Sequence, residues 1–348
     1  MTTEWRFIAA FAAHLQRCGL VDGETVAVLS ESQSRPVLVE TARLAAQSLG
    51  GRVFDVVVPT PPAAHAVPIR STGASQAIAD HPSVIAALAA SSLVIDCTVE
   101  GLLHSPELGR ILGDGARVLM ISNEHPEVLA RIGWDPDMPR RVELGYEWIS
   151  NATTMHVTSA AGTDLLVRLT GAAAAGSTGL TSGPGSIAHW PGGLVAAFPS
   201  AHSVSGTIVL APGDMNLTFN TLVQSPVTLT IVDDHIESIG GTGADAILFR
   251  SYLSAFGDRE SYATSHVGWG MNQLARWDSS QLYDKRETWG TEARVYAGNF
   301  VYSTGANELA GRFTAGHFDL PMRNCTITLD DRVIVHEGTL TPALSPRA

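Results

Sequence analysis

Thr25-Val26-Ala27-Val28-Leu29-Ser30, a segment opened by Pro36 and closed by Gly50-Gly51, and then Val53-Phe54-Asp55-Val56-Val57-Val58 form the stretch on which the fold turns. Proline suits the first turn of a helix, whose N–H groups lack partners in any case, and glycine suits the position past its end. The flanking runs are almost continuously apolar, as strands covered on both faces are. Strand, helix, strand in that order is the unit of a parallel α/β sheet.

Outward from this unit the alternation continues to about residue 150. A helix is expected over Trp5 to Arg17, stopping near Gly19, and another across His81 to Ala90; further strands are expected at Leu93 to Asp96 and Val118 to Ser122. The first strand runs into Ser30-Glu31-Ser32-Gln33-Ser34-Arg35-Pro36, without the Gly-x-Gly-x-x-Gly turn that admits a pyrophosphate, so a dinucleotide is not expected. No Gly-x-x-x-x-Gly-Lys-Ser/Thr loop offers a cradle for a nucleoside triphosphate.

From 151 the pattern changes to short alternating strands at Thr153 to Thr158, Asp164 to Leu169, Gly206 to Leu210 and Val227 to Val232, separated by Gly, Ser and Pro turns. The low-complexity run Gly171 to Ser186 reads as loop, Ala244 to Phe256 as helix, and Thr326 to Leu329 with Arg332 to His336 as a hairpin turning at Asp330-Asp331. Thr341 to Ala348 reads as a loose tail. The expectation is an α/β domain with a parallel sheet over 1–150, followed by a β-rich α+β domain over 151–348 that carries the functional site.

Composition narrows the function. The chain has 348 residues, 45% hydrophobic and 16% charged, which suits compact globular folding rather than disorder. A net charge of −12, with no basic cluster beyond the Arg140-Arg141 pair, argues against nucleic acid as a partner. Cys18, Cys97 and Cys325 are widely spaced and odd in number, so neither a disulfide framework nor a zinc ribbon is expected. The start Met1-Thr2-Thr3-Glu4 lacks a basic run, and Val84 to Ile95, the longest weakly polar stretch, falls far short of the roughly 20 residues that span a bilayer. A cytoplasmic protein is expected, without a membrane partner, and the acidic, apolar β-rich half suggests a homo-oligomer.

Chemistry concentrates in Gly316-His317-Phe318-Asp319-Leu320-Pro321-Met322. Residues two apart on a strand share a face, so His317 and Asp319 converge as a pair of metal ligands would. A third ligand is available in Ser265-His266-Val267-Gly268-Trp269-Gly270-Met271-Asn272, whose two glycines would let the backbone turn closely around a buried centre. Two imidazoles and one carboxylate fill one face of an octahedron and leave the other open, the arrangement used by non-haem Fe(II) oxygenases. His104 stands apart: it follows the strand Leu93 to Asp96 and precedes Ser105-Pro106-Glu107, beyond the carboxyl ends of parallel strands where α/β folds place ligands. An imidazole there can act as a general base, or merely cap a helix. His14, His65, His125 and His235 sit in helical or turn contexts and read as structural.

At these residues the chain resembles the 2,5-dihydroxypyridine 5,6-dioxygenase family, from Leu102-Leu103-His104-Ser105-Pro106 through His266 to His317-Phe318-Asp319. That family is related to the aminopeptidase T-like metallopeptidases, which hold two metals. Where the peptidases carry a first glutamate, Pro191-Gly192-Gly193-Leu194-Val195 has leucine; His266 stands in place of a second. Tyr296-Ala297-Gly298-Asn299-Phe300-Val301-Tyr302 lacks their additional histidine. The resemblance thus implies a single metal, Fe(II), on His266, His317 and Asp319, with 2,5-dihydroxypyridine and dioxygen as substrates. It further implies His104 as the catalytic base and Leu103, Gly162, His189 and Arg294 as substrate contacts, although Leu103 and Gly162 could be ordinary core or turn residues, His189 could simply pack beside Trp190, and Arg294 could form an ion pair with Glu292 or Glu287. Two alternatives stand beside this reading: a metallopeptidase that keeps the fold's hydrolytic chemistry, and a non-catalytic metal or small-ligand binding protein.

Overall fold

The structure, a computed structural model, describes residues 3–62, 75–284 and 288–346; His65 and Glu287 lie outside them. The βαβ unit is present as expected. Strand Thr25–Glu31, helix Pro36–Ser48 and strand Arg52–Val58 lead into a five-stranded sheet in the order Arg52–Val58, Thr25–Glu31, Leu93–Asp96, Arg117–Met120, Ile187–His189. Every neighbouring pair is parallel. The strands Leu93–Asp96 and Arg117–Met120 are fully buried along their length, which is why they read as uninterrupted apolar runs. Helices Trp5–Arg17 and Pro36–Ser48 cover one face with Phe11, Leu15, Leu38 and Ala42.

The β-rich half is built on two large antiparallel sheets, with a two-stranded ribbon, Met215–Asn216 and Thr221–Leu222, beside them. One has eight strands, among them Thr154–Ser159, Asp164–Arg168, Val204–Leu210 and Val227–Val232, with the hairpin Cys325–Leu329 and Arg332–His336 at one side. The other has five, in the order Arg312–Met322, Phe300–Asn307, Thr264–Gly270, Leu194–Phe198, Ala173–Ser177. Their inner faces share one core in which Val157, Leu165 and Leu229 of the first sheet meet Trp269, Tyr302 and Phe318 of the second. Two helices contribute to that core: Ala244–Ala255 through Phe249 and Leu253, and Met138–Asn151 through Val142 and Ile149. The chain therefore crosses between its halves more than once. Helix Met138–Asn151 packs into the β-rich core, while Ile187–His189 returns to complete the parallel sheet.

Three local expectations are corrected. The run 171–186 is not all loop: Ala173–Ser177 pairs with Leu194–Phe198 in register, and its small side chains match the helix above it. A Cβ on Gly176 would come within 2.9 Å of Val142 Cγ1. Nor do the glycines of the His266 strand bend the backbone. Gly268 and Gly270 sit within a regular strand where a Cβ would meet the Val195 and Tyr296 carbonyl oxygens at 2.1 and 2.4 Å, so glycine serves the close approach of neighbouring chain. The C-terminal segment is docked rather than loose. Leu344 is fully buried, and Arg140 donates to the carbonyls of Ala343 and Ser345.

Among the described residues, no helix is long and apolar enough to cross a membrane. All three cysteines are free and buried.

Candidate active site

The three ligand candidates come together from two strands that flank a third. His266 on Thr264–Gly270 faces Ser303 on Phe300–Asn307, and Ser303 in turn faces Asp319 on Arg312–Met322. His317 lies two residues before Asp319 and so shares its face. The three side chains are almost entirely buried. His317 Nε2 lies 3.2 Å and His266 Nε2 3.8 Å from Asp319 Oδ1, and the two imidazole rings stack with centroids 5.8 Å apart.

The carboxylate is already engaged. Arg294 Nε donates to Asp319 Oδ2 at 2.5 Å, and the Ser303 hydroxyl donates to Oδ1 while lying 2.9 Å from His266 Nε2. Among the described residues, no three His, Cys, Asp or Glu side chains form a ready-made metal cage. Asp319 is drawn instead toward its arginine and serine.

The donor set nonetheless suits a divalent cation that accepts nitrogen and oxygen. Burial pushes His266 down to about 3, so its imidazole is neutral. Burial alone would raise the Asp319 carboxyl; the Arg294 guanidinium and His317 outweigh it and hold the group well below the ordinary carboxylate value. Ser265 Oγ donates to the Ala306 carbonyl at 2.5 Å and so can accept from His266 Nδ1, 3.2 Å away, while Ser303, whose proton goes to Asp319, can accept from Nε2. With the single proton of the neutral ring on Nδ1, the Nε2 lone pair is free for a metal, as a ligating histidine requires.

Beside these groups lies a cavity of about 160 Å³ at the seam between the parallel sheet and the five-stranded antiparallel sheet. Met120, Ile187, Leu194, Ala196 and Phe198 make its wall apolar; His104, His189, His266, Arg294, His317 and Asp319 supply the polar groups. An apolar cavity of about 150 Å³ takes up benzene, so this space suits one six-membered ring.

His104 reaches the cavity from the loop after Leu93–Asp96, as its sequence position indicated. The loop is ordered by Asp96, whose carboxylate accepts from Thr98 N at 3.0 Å, Thr98 Oγ1 at 2.6 Å and Leu102 N at 2.9 Å, and by Glu31, which accepts from Val99 N. Leu103, partly exposed, lines the same cavity. His189 is held by the Pro191 carbonyl at its Nδ1, 3.2 Å away, and burial pushes it down to about 4; its Nε2 is buried without a protein partner.

Arg294 pairs with Asp319, while Glu292 is taken by Arg131 at 2.5 Å and by the Arg276 N–H at 2.7 Å. Gly162 is not brought to the cavity. It sits at φ +110° in the turn between Thr154–Ser159 and Asp164–Arg168, a backbone reason for glycine. His14, His125 and His235 are outside the described cavity lining: His14 stacks on Trp190 at 3.9 Å, and His125 caps its helix by accepting from Glu127 N.

Two participants carried no signal in the sequence. Ser303 bridges His266 and Asp319 only because the middle strand aligns it with both. Glu124 accepts hydrogen bonds from Thr288 Oγ1, Trp289 N, Thr291 N and Thr291 Oγ1, fixing the segment that leads into helix Glu292–Val295 and Arg294.

Sequence and fold together match a class of oxidoreductases, and the chain is a dioxygenase. More narrowly, it belongs to the 2,5-dihydroxypyridine 5,6-dioxygenase family, which matches residues 6–342. A 2,5-dihydroxypyridine 5,6-dioxygenase of Pseudomonas putida KT2440 is 36% identical over 340 residues, 96% of either chain. The solved structure of 2,5-dihydroxypyridine dioxygenase from that organism superimposes with a TM-score of 0.89 at 35% identity, covering 97% of both chains. Wild-type AmpT from Thermus thermophilus shares the fold, with a TM-score of 0.61 over 97% of this chain and 99% of its own, at 11% identity.

Proposed function

We propose that the chain is an Fe(II)-dependent dioxygenase that opens 2,5-dihydroxypyridine between ring carbons 5 and 6, adding both atoms of dioxygen to give N-formylmaleamate in pyridine breakdown. The observation that carries this reading is a one-ring apolar cavity with His266, His317 and Asp319 in its lining and His104 beside them. These three side chains would hold the metal. When bound, Fe(II) supplies the redox chemistry that dioxygen needs to react with a closed-shell ring.

The chain's own residues account for the rest. With Nδ1 taken by Glu308 at 3.3 Å, His104 keeps Nε2 available to accept the proton of the 5-hydroxyl, which raises the ring's electron density. Arg294, permanently charged, and His189, neutral with an unpartnered Nε2, are placed to hold the oxygen and nitrogen of the substrate's far edge. Apolar walls exclude water and present the flat ring to the ligand cluster.

The peptidase alternative is disfavoured by the cavity itself. Asp319 is the single carboxylate among its described lining residues, so bridging groups for two metals are missing there, and the volume is too small for a peptide. Cytoplasmic location and self-association belong to the same proposal. Buried free thiols support the first, and exposed Ile247 and Leu248 on helix Ala244–Ala255 support the second.

The test is oxygen uptake. Protein loaded with Fe(II) without air should consume one O2 per 2,5-dihydroxypyridine and bleach its absorbance; bleaching without oxygen uptake, or no reaction, would sink the dioxygenase mechanism.

A further inference from the structure

His104 and Glu308 belong to opposite halves of the fold. His104 stands on the loop that follows the third parallel strand in chain order, Glu308 in the turn Glu308–Ala310 between strands Phe300–Asn307 and Arg312–Met322. Their side chains meet with His104 Nδ1 3.3 Å from Glu308 Oε1. The His104 side chain is only 4% exposed and Glu308 41%, so the histidine is sealed inside while the carboxylate sits at the rim.

The turn that carries Glu308 is built rather than incidental. Its strand pairing slips register between Gly305 and Asn307, an irregularity of the kind that re-aims side chains next to active sites. Asn307, fully buried, holds the new direction at both ends: its Nδ2 donates to the Pro199 carbonyl at 2.8 Å, and its Oδ1 accepts from Ala310 N. The Ala306 carbonyl is anchored by Ser265, the same hydroxyl that lies 3.2 Å from His266 Nδ1. Burial opposes ionisation of Glu308, yet the hydrogen bond from His104 and the fields of His104 and His317 leave its carboxyl below the ordinary glutamate value.

We propose that Glu308 is the positioning residue of His104: its carboxylate accepts a hydrogen bond from the Nδ1–H, fixes the imidazole with Nε2 toward the cavity, and stabilises the imidazolium formed when a substrate hydroxyl gives up its proton. This rests on His104 being the base. In the step, the substrate O–H bond breaks, the proton passes to His104 Nε2, and the electron pair stays on oxygen; Glu308 keeps its charge and exchanges no proton. The logic is that of a carboxylate holding a catalytic histidine in one tautomer.

A double-mutant cycle on Fe(II)-loaded enzyme separates this role from simple bracing of the turn. Glu308→Gln and Glu308→Ala should lower kcat about 10- to 100-fold, a part of the roughly 10²–10⁴-fold that a placed general base contributes. KM, iron content and the urea midpoint should stay close to those of the unmutated chain, and Glu308→Asp should recover part of the rate. In a His104→Ala background the same Glu308 substitutions should cost nothing further. An equal loss in both backgrounds, or full activity of Glu308→Ala, would overturn the proposal while leaving His104 as base. Full activity of His104→Ala would overturn the base itself, and the proposal with it.

Discussion

Replacing Glu124 by glutamine tests whether the arginine that faces Asp319 is held in place from the other half of the molecule. Glu124 is fully buried, and its two oxygens divide the work. Oε1 accepts from Thr288 Oγ1 at 2.7 Å, Trp289 N at 3.1 Å and His125 N at 2.8 Å; Oε2 accepts from Thr291 N at 3.0 Å and Thr291 Oγ1 at 2.8 Å. Glutamine matches the shape but offers one acceptor oxygen, and the amide NH2 that replaces the other would face the Thr291 N–H donor to donor. The threonine hydroxyl can rotate to accept from that amide; the backbone N–H cannot. One charged acceptor is lost at about 1.5–3 kcal/mol, and a buried N–H is left unpaired at about 1–3 kcal/mol. Partial relaxation brings the expected destabilisation to about 2–4 kcal/mol. Urea denaturation followed by tryptophan fluorescence measures it, with Trp289 inside the affected segment. Because Arg294 lies three residues past Thr291, kcat/KM for the ring substrate should fall as well. A Glu124→Gln protein within about 0.5 kcal/mol of the original, a change typical of neutral surface substitutions, would refute the reasoning.

The Asp96 carboxyl, which orders the His104 loop, is pushed up by burial to about 6 from an ordinary 3.8. The folded state therefore holds its proton more tightly than the unfolded state, and Asp96 makes stability fall as pH rises from about 4 to 6, by up to roughly 3 kcal/mol. Urea titrations across that window should show this slope diminished in Asp96→Asn; an unchanged slope would contradict the assignment. Ser265→Ala removes the acceptor for the His266 Nδ1 proton, and a lost partner of this kind typically costs about 10- to 100-fold in metal affinity. A competitive chelator titration reads that loss, and an unaltered affinity would show that His266 does not depend on Ser265.

What the sequence disclosed follows from how far each interaction reaches along the chain. The parallel sheet was legible because burial on both faces writes itself into continuous apolar runs, and Leu93–Asp96 falls on the expected residues, as does Val227–Val232 of the antiparallel eight-stranded sheet, where burial alternates. Strand Ala173–Ser177 was not legible: its alanines and Gly176 answer to a helix some 30 residues earlier, and small residues alone look like a loop. In the site, His317 and Asp319 announce themselves by strand periodicity, and their meeting with His266 is seen only once the strands pair. Ser303, Glu308 and Glu124 were invisible, because serine and glutamate are common surface residues and only tertiary contact gives these three a role. The resemblance supplied Gly162 as well, which the fold places in the turn between Thr154–Ser159 and Asp164–Arg168, outside the described cavity lining.

The central claim is one iron per chain on His266, His317 and Asp319, and metal analysis of protein purified without air tests it most directly. The account predicts close to one Fe(II) per chain in the parent protein, and loss of that iron in His266→Ala and Asp319→Ala with the fold retained by circular dichroism. Two metals per chain, or iron that survives both substitutions, would contradict it.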